Sequence, residues 1–285
     1  MGLTLFSVTG CSRCALVKKF LRARAIPCEE QDALGEGKAR FAACYRAHRD
    51  RIVRGREGVE FPVLVDGEAI RQGVAPVLAW LQAGARLDPF FRYAASPRGW
   101  AAGIEISAGD AAAAEDLFAV LAFLRREGVR LEIATDGRNA ALLEGLLARG
   151  LADRVVMRLW GPPEVHRAAL GETAGLEEIE ASMARVTRFP EYRFETVVAC
   201  PAPGEAASGG LRTLTPEEIA ATARWLREVT GSHRQPYVLI PRAPLASPAG
   251  GPPPPDPGVT SSSIVRHRSA ARTFQVLTEI AAPKD

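Results

Sequence analysis

The sequence predicts an α/β protein in two parts: a small mixed unit around a dithiol motif, then parallel strands and helices forming an open sheet or partial (βα) barrel. Three observations carry this. A short apolar run ends in Gly10-Cys11-Ser12-Arg13-Cys14 and passes at once into a strongly helical run. Further on, Phe61-Pro62 lies inside a hairpin-like pattern. From Gly103 onward, strand-like and helix-like segments alternate, the pattern of βαβ units.

Leu3-Thr4-Leu5-Phe6-Ser7-Val8 is apolar and β-branched enough for a strand, with a turn signal at Thr9-Gly10. In the helix that follows, Leu16, Val17, Phe20 and Leu21 share one face. Cys11 falls at the helix N-terminus, where orphan N–H groups and the positive end of the helix dipole favour thiolate over thiol. Cys14 lies on the same face and is placed to attack a mixed disulfide held on Cys11. Cys11 and Cys14 are therefore the predicted catalytic pair. The competing readings are half a zinc site, a structural disulfide or two ordinary buried cysteines. Cys28 and Cys44 stand alone, so no second C-x-x-C completes a four-ligand set, and no metal site is predicted. The Met1 start without a visible signal peptide argues against a structural disulfide.

Residues 26–32 are a plausible second strand. Residues 38–54 are basic and helical, with Phe41, Cys44, Tyr45 and His48 at helical spacing. Residues 59–70 read as a β-hairpin turning at Asp66-Gly67, and 74–81 as a closing helix. Pro62 marks an edge or irregular position, where the X-Pro bond is a candidate for cis. In this order the features resemble a glutaredoxin or closely related thioredoxin-fold redoxin, over residues 1–86. The resemblance implies a thioredoxin-like domain in which the proline loop faces the C-x-x-C. It further implies substrate contacts from Phe61, Pro62 and Gly73, the backbone pairing with an extended substrate. The implied activity is thiol–disulfide exchange through Cys11 and Cys14 on a disulfide-containing partner protein, a reductase among the candidates. Two positions depart from the family pattern. Val8 stands where a lysine is usual, and Val74-Ala75-Pro76 replaces the acidic pair after Gly73. Both groups normally hold the charges of glutathione, which leaves glutathione as an electron donor only if other residues take over those contacts.

Residues 87–102 read as a linker, and 103–243 as the βα-repeat domain. Strands are expected at 103–107, 129–134, 154–159, 193–199 and 237–240. Helices are expected at 111–126, 140–149 and 177–187, with another opened by the capping signal Thr215-Pro216-Glu217-Glu218. Parallel strands carry function at their C-terminal ends. Those ends read Ser107-Ala108-Gly109-Asp110, Thr135-Asp136-Gly137 and Trp160-Gly161-Pro162-Pro163. Over residues 100–243 the series resembles the later part of a radical S-adenosylmethionine activating enzyme, of the kind that activates anaerobic ribonucleotide reductase or pyruvate formate-lyase. Ser107-Ala108-Gly109-Asp110 takes the place of that family's S-G-G-E, Thr135-Asp136-Gly137 that of T-N-G, and Glu195-Thr196-Val197-Val198 resembles a later strand. Such an enzyme needs C-x-x-x-C-x-x-C to hold its iron–sulfur cluster. After Cys44 the only cysteine is Cys200. Neither an iron–sulfur cluster nor S-adenosylmethionine is therefore expected. The resemblance implies a remnant barrel kept for scaffolding or partner binding. The alternative to an oxidoreductase is accordingly a non-catalytic interaction protein whose barrel docks on a reductase or a glycyl-radical-type enzyme. A five-strand α/β fold unrelated to that family also stays open.

Residues 244–285 close the chain. The stretch 241–258 is Pro/Gly-dense and expected to lack regular structure, and 274–280 is a possible last strand. His48, His166, His233 and His267 lie in separate segments, none at ligand spacing, and are expected at the surface or as caps. A net charge of +3 with scattered arginines gives no support for nucleic-acid binding. No apolar run approaches the roughly 20 residues of a membrane span. Five cysteines with only two at motif spacing fit a reducing cytoplasm.

Overall fold

The computed structural model describes residues 2–55, 58–94, 99–171, 175–201, 211–241 and 261–281. The chain divides into two compact units, Met1–Ile133 with Gly150–Ala152, and Ala134–Arg149 with Asp153–Asp285.

In the first unit, strand β1 (Thr4–Ser7) is buried along its whole length and leads to helix α1 (Ser12–Ala23). Then come β2 (Glu29–Asp32), α2 (Lys38–Ala47) and the short antiparallel pair β3 (Arg54–Gly55) and β4 (Gly58–Val59). Strands β5 (Val63–Asp66) and β6 (Ala69–Gln72) and helix α3 (Val74–Ala83) follow. Four strands make a mixed sheet in the order β2-β1-β5-β6. Strand β1 runs parallel to β2 and antiparallel to β5, with Leu5 opposite Glu30 on one side and Leu64 on the other. The predicted hairpin is β5–β6, turning at Asp66-Gly67 with Val65 opposite Ile70.

Helix α1 buries Val17, Phe20 and Leu21 of the face its spacing predicts, with Leu16 only half-buried. Phe6, Ala33, Ile52, Val63 and Ile70 form one apolar cluster, against which the half-buried Phe41, Tyr45 and Phe61 pack. Burying side chains of this size stabilises by about 1.5–3 kcal/mol each. Helix α2 stops at Ala47, short of the predicted 54, because the chain turns at His48 to carry Ile52 (2% exposed) into that cluster.

Running into the stretch expected as a linker, Gly84–Phe90 forms a 3₁₀ helix held by Arg71, which pairs with Asp88 (Nε to Oδ1 2.8 Å) and stacks on Trp80. Strand β7 (Trp100–Glu105) begins earlier than expected. A short 3₁₀ turn (Ala111–Ala113), helix α4 (Ala114–Arg126) and β8 (Arg130–Thr135) follow. Phe123 of α4 meets Phe20 of α1 edge-on, ring centroids 5.0 Å apart.

The second unit continues with α5 (Ala140–Arg149), β9 (Arg154–Arg158), α6 (Pro163–Leu170), α7 (Leu176–Val186) and β10 (Glu191–Val197). Next are β11 (Cys200–Pro201), β12 (Leu211–Arg212), α8 (Pro216–Thr230), β13 (Tyr237–Ile240), α9 (Ser261–Arg272) and β14 (Thr278–Ile280). The larger sheet has the order β14-β13-β10-β9-β8-β7 and is open. Strands β9, β10, β13 and β14 pair in parallel: Met157 lies opposite Phe194, Thr196 opposite Leu239, and Leu239 opposite Ile280. The α/β class with an open parallel sheet is thus the architecture observed. The capping signal also holds. Thr215 Oγ1 accepts the Glu218 N–H at 3.2 Å while Glu218 accepts the Thr215 N–H at 2.8 Å.

Three expectations need correction. Helices α6 and α9 were not anticipated: Pro163 sits in the first turn of α6, where proline's fixed φ favours a helix. The last strand shrinks to Thr278–Ile280, because residues 273–275 are still turning off α9. His166 and His267 are not at the surface but buried, at 0% and 5% exposure. His166 accepts the Trp160 N–H on Nδ1 (2.9 Å) and donates from Nε2 to the Asp136 carbonyl (2.9 Å), so it satisfies backbone groups at two strand ends. The ring nitrogens of His267 lie 2.8 Å from the carbonyls of Ser263 and Leu214. His48 caps α2 and His233 is exposed, as expected. The Pro/Gly-dense stretch beyond Pro241 lies outside the described residues. Among the described residues no helix is long and apolar enough to cross a membrane.

Burial holds the His166 imidazole at a pKa of about 4, below its ordinary 6.5. Between those values the unfolded chain binds a proton that the folded one does not. The stabilisation is therefore full above pH 6.5 and is lost as pH falls toward about 4. Urea unfolding across this window is expected to show a His166-dependent loss of about 1.4 kcal/mol per pH unit at most, and H166Q should lack that slope.

Candidate active site

Gly10, at φ +80°, breaks β1 and lets the chain reverse into α1, with the Cys11 N–H on the Val8 carbonyl at 3.1 Å. The Thr9 hydroxyl donates to Asp32, whose carboxylate also takes the Leu34 and Gly35 N–H groups. That ties the loop before Cys11 to the loop after β2. Cys11 is the N-cap of α1, and its Sγ accepts the Cys14 N–H at 3.2 Å.

Cys11 is half-buried and Cys14 is 1% exposed. Both are free thiols, with Sγ atoms 2.7 Å apart. Burial, reinforced by the Cys11 sulfur, pushes the Cys14 thiol up to about 12. The inner thiol therefore holds its proton while the outer one meets solvent. Burial also pushes Cys28 up to about 11 and raises Cys44.

The Phe61–Pro62 bond is cis. Pro62 is buried, and its carbonyl accepts the Gly73 N–H at 2.9 Å. The Phe61 ring lies 4.9 Å from that of Phe41. Among the described residues the Phe61 N–H and C=O have no hydrogen-bond partner. Cys11 and Phe61 line one groove of about 660 Å³, walled by Phe41, Tyr45 and Val59 and rimmed by Lys38 and Arg54.

Gly73 faces a different cavity, of about 410 Å³, with Leu16, Val74, Tyr93 and Trp100. Arg13 and Glu60 line both cavities and form the wall between them as an ion pair. Tyr93 donates to Glu60 at 2.9 Å, and burial beside that carboxylate pushes its phenol up to about 12, so it stays a donor. Of the predicted site residues, Cys11 and Phe61 line the groove; Cys14 lies buried 2.7 Å behind the Cys11 sulfur, Pro62 is buried next to Phe61, and Gly73 stands one hydrogen bond behind Pro62. The Arg13–Glu60–Tyr93 wall was missed. Arg13 and Glu60 adjoin the two motifs, whereas nothing in the sequence marks Tyr93. Phe41 and Tyr45 read as an ordinary core face.

The residues that carry the second resemblance are occupied by contacts within the chain. Gly109 lies under the Phe90 ring, where a Cβ would sit 2.0 Å from ring carbons. Ser107 is 6% exposed, and Asp110 accepts the Ala112 N–H at 2.9 Å. Thr135 accepts the Gly137 N–H at 3.0 Å, and Asp136 pairs with Arg138 at 2.6 Å. Among the described residues no three His, Cys, Asp or Glu side chains are grouped to hold a metal. With Cys200 alone after Cys44, the donor set does not fit a three-thiolate cluster.

No family model matches the chain, and no curated protein matches it. Among solved structures it is similar to a domain of a pyruvate-formate lyase-activating enzyme from Bacteroides vulgatus, at 14% identity and a TM-score of 0.43, over 64% of this chain and 100% of that one.

Proposed function

We propose that the protein is a dithiol–disulfide oxidoreductase of the glutaredoxin-like kind, acting on a disulfide of a partner protein. The observation that supports this most is the pairing of a solvent-reached thiol at a helix N-terminus with a buried thiol 2.7 Å away, on the wall of a groove. The order β2-β1-β5-β6, with Pro62 just before β5, accords with the thioredoxin-fold redoxins that the sequence resembles.

The chemistry balances without a bound group. The Cys11 thiolate attacks one sulfur of the substrate disulfide, the S–S bond breaks, and the leaving sulfur departs as a thiolate that takes a proton. Cys14 then loses its proton, attacks the Cys11 sulfur and releases the second substrate thiol. The substrate gains two electrons and two protons, and the protein is left with a Cys11–Cys14 disulfide. An external thiol reduces it again. The high pKa of Cys14 keeps it from competing with Cys11 in the first step. Its rise in nucleophilicity must come once the mixed disulfide removes the negative charge of the neighbouring sulfur.

Two results are expected. C11S should abolish reduction of a protein disulfide, whereas C14S should accumulate a covalent mixed disulfide through Cys11, seen by mass spectrometry under non-reducing conditions. Full turnover by C11S would sink the proposal. Separately, brief iodoacetamide treatment of the reduced native protein near neutral pH should label Cys11 first among Cys11, Cys14, Cys28 and Cys44, with Cys14 labelled only after urea. Equal labelling of Cys14 in the native protein would contradict the burial-driven pKa.

A further inference from the structure

The groove beside Cys11 carries more information than a dithiol needs. Its walls are aromatic: the Phe41 ring centroid lies 4.9 Å from that of Phe61 and 6.4 Å from that of Tyr45. Its lip is apolar too, since Leu34 is 67% exposed there, the most exposed large hydrophobic side chain among the described residues. The charge is one-sided. Four charged residues line the groove: Arg13, Lys38, Arg54 and Glu60. Arg13 and Glu60 neutralise one another in the wall. That leaves Lys38 and Arg54, both exposed and without a carboxylate partner among the described residues. Phe61, whose N–H and C=O have no hydrogen-bond partner among the described residues, lines the same groove.

We infer that this groove selects extended peptide disulfides in which a bulky apolar or aromatic residue adjoins the cysteine and an acidic residue lies within reach of it. The inference rests on the oxidoreductase reading and specifies its substrate. The peptide backbone pairs with Phe61 as an added strand, which fixes the register of the substrate disulfide against Cys11. The apolar side chain next to the cysteine enters between Phe41, Tyr45 and Phe61, where burial of an aromatic ring supplies most of the affinity. The carboxylate meets Lys38 and Arg54. Those two cations are solvent-exposed, so their contribution falls mainly on association rate and on selection among partners, and salt weakens it. A basic peptide of the same shape meets repulsion from the same pair. The exchange itself is that given above: the reduced Cys11–Cys14 pair supplies two electrons and two protons, and the peptide disulfide becomes two thiols.

The test uses the full chain, fully reduced and in excess, so that the protein is the only reductant and one turnover is followed. The substrates are disulfide-linked homodimers of three short peptides, Glu-Phe-Cys, Lys-Phe-Cys and Glu-Gly-Cys, with hydroxyethyl disulfide as a small neutral substrate, and reduction is read by chromatography. At low ionic strength the Glu-Phe-Cys dimer should react about tenfold faster than the Lys-Phe-Cys dimer, a ratio that added salt shrinks. The Glu-Gly-Cys dimer should be slower than Glu-Phe-Cys at every salt concentration. In K38E/R54E the ratio of acidic to basic peptide should invert. If all substrates are reduced in a Cys11-dependent way but at equal rates, the groove assignment is overturned and the oxidoreductase reading stands. If the Lys-Phe-Cys dimer is preferred, or the ratio does not move in K38E/R54E, the assignment is equally overturned. If no substrate, hydroxyethyl disulfide included, is reduced through Cys11, the underlying reading fails and the inference falls with it.

Discussion

At the start of α1 a sulfur occupies the position that serine, threonine or aspartate usually takes. The Cys11 Sγ accepts the Cys14 N–H, so one atom both closes a helix end and presents the reactive lone pair. Much of the small sheet's detail serves that atom. Gly10 supplies the reversal that brings it there, and Asp32 pins the loop on the far side. The buried face of α1 then fixes Cys14 beneath it. Local structure and chemistry are coupled here: anything that frays the first turn of α1 also displaces the thiol.

The wall between the two cavities shows how a variable position inside a motif acquires a structural duty. Arg13 and Glu60 are each mostly covered, with side chains 28% and 23% exposed, and Tyr93 takes the second carboxylate oxygen. A covered ion pair contributes little net stability, but removing one partner leaves an uncompensated charge. The pair therefore acts chiefly on geometry. It joins the C-x-x-C helix to the segment before the cis-proline, the two parts whose separation a bound peptide must match.

How much of this was legible in the sequence follows the range of the interactions. Features written in short patterns were readable: the C-x-x-C between strand and helix, the hairpin at Asp66-Gly67, the capping box at Thr215, the alternation that makes the parallel sheet. Features that depend on distant partners were not. Nothing near His166 says that its ring will bridge Trp160 and Asp136. Tyr93 sits in a stretch whose composition reads as a linker, yet its hydroxyl reaches back to Glu60. Phe41 and Tyr45 show helical spacing, and spacing alone does not separate a core face from the wall of a groove. The wrong lengths of α2 and β14 arose where tertiary contacts, through Ile52 and the turn off α9, overrode local preference.

Phe90 has a consequence for anyone who would redesign the parallel-sheet half. Its ring lies flush on the backbone at Gly109, closer than any side chain there would tolerate. Any larger residue at 109 would have to displace that ring. Trimming the ring is no simple remedy, since Phe90 is 0% exposed and closes the 3₁₀ turn that ends on it. One aromatic side chain thus bars substitution at residue 109 and fills the core beneath the turn, so neither can be altered alone.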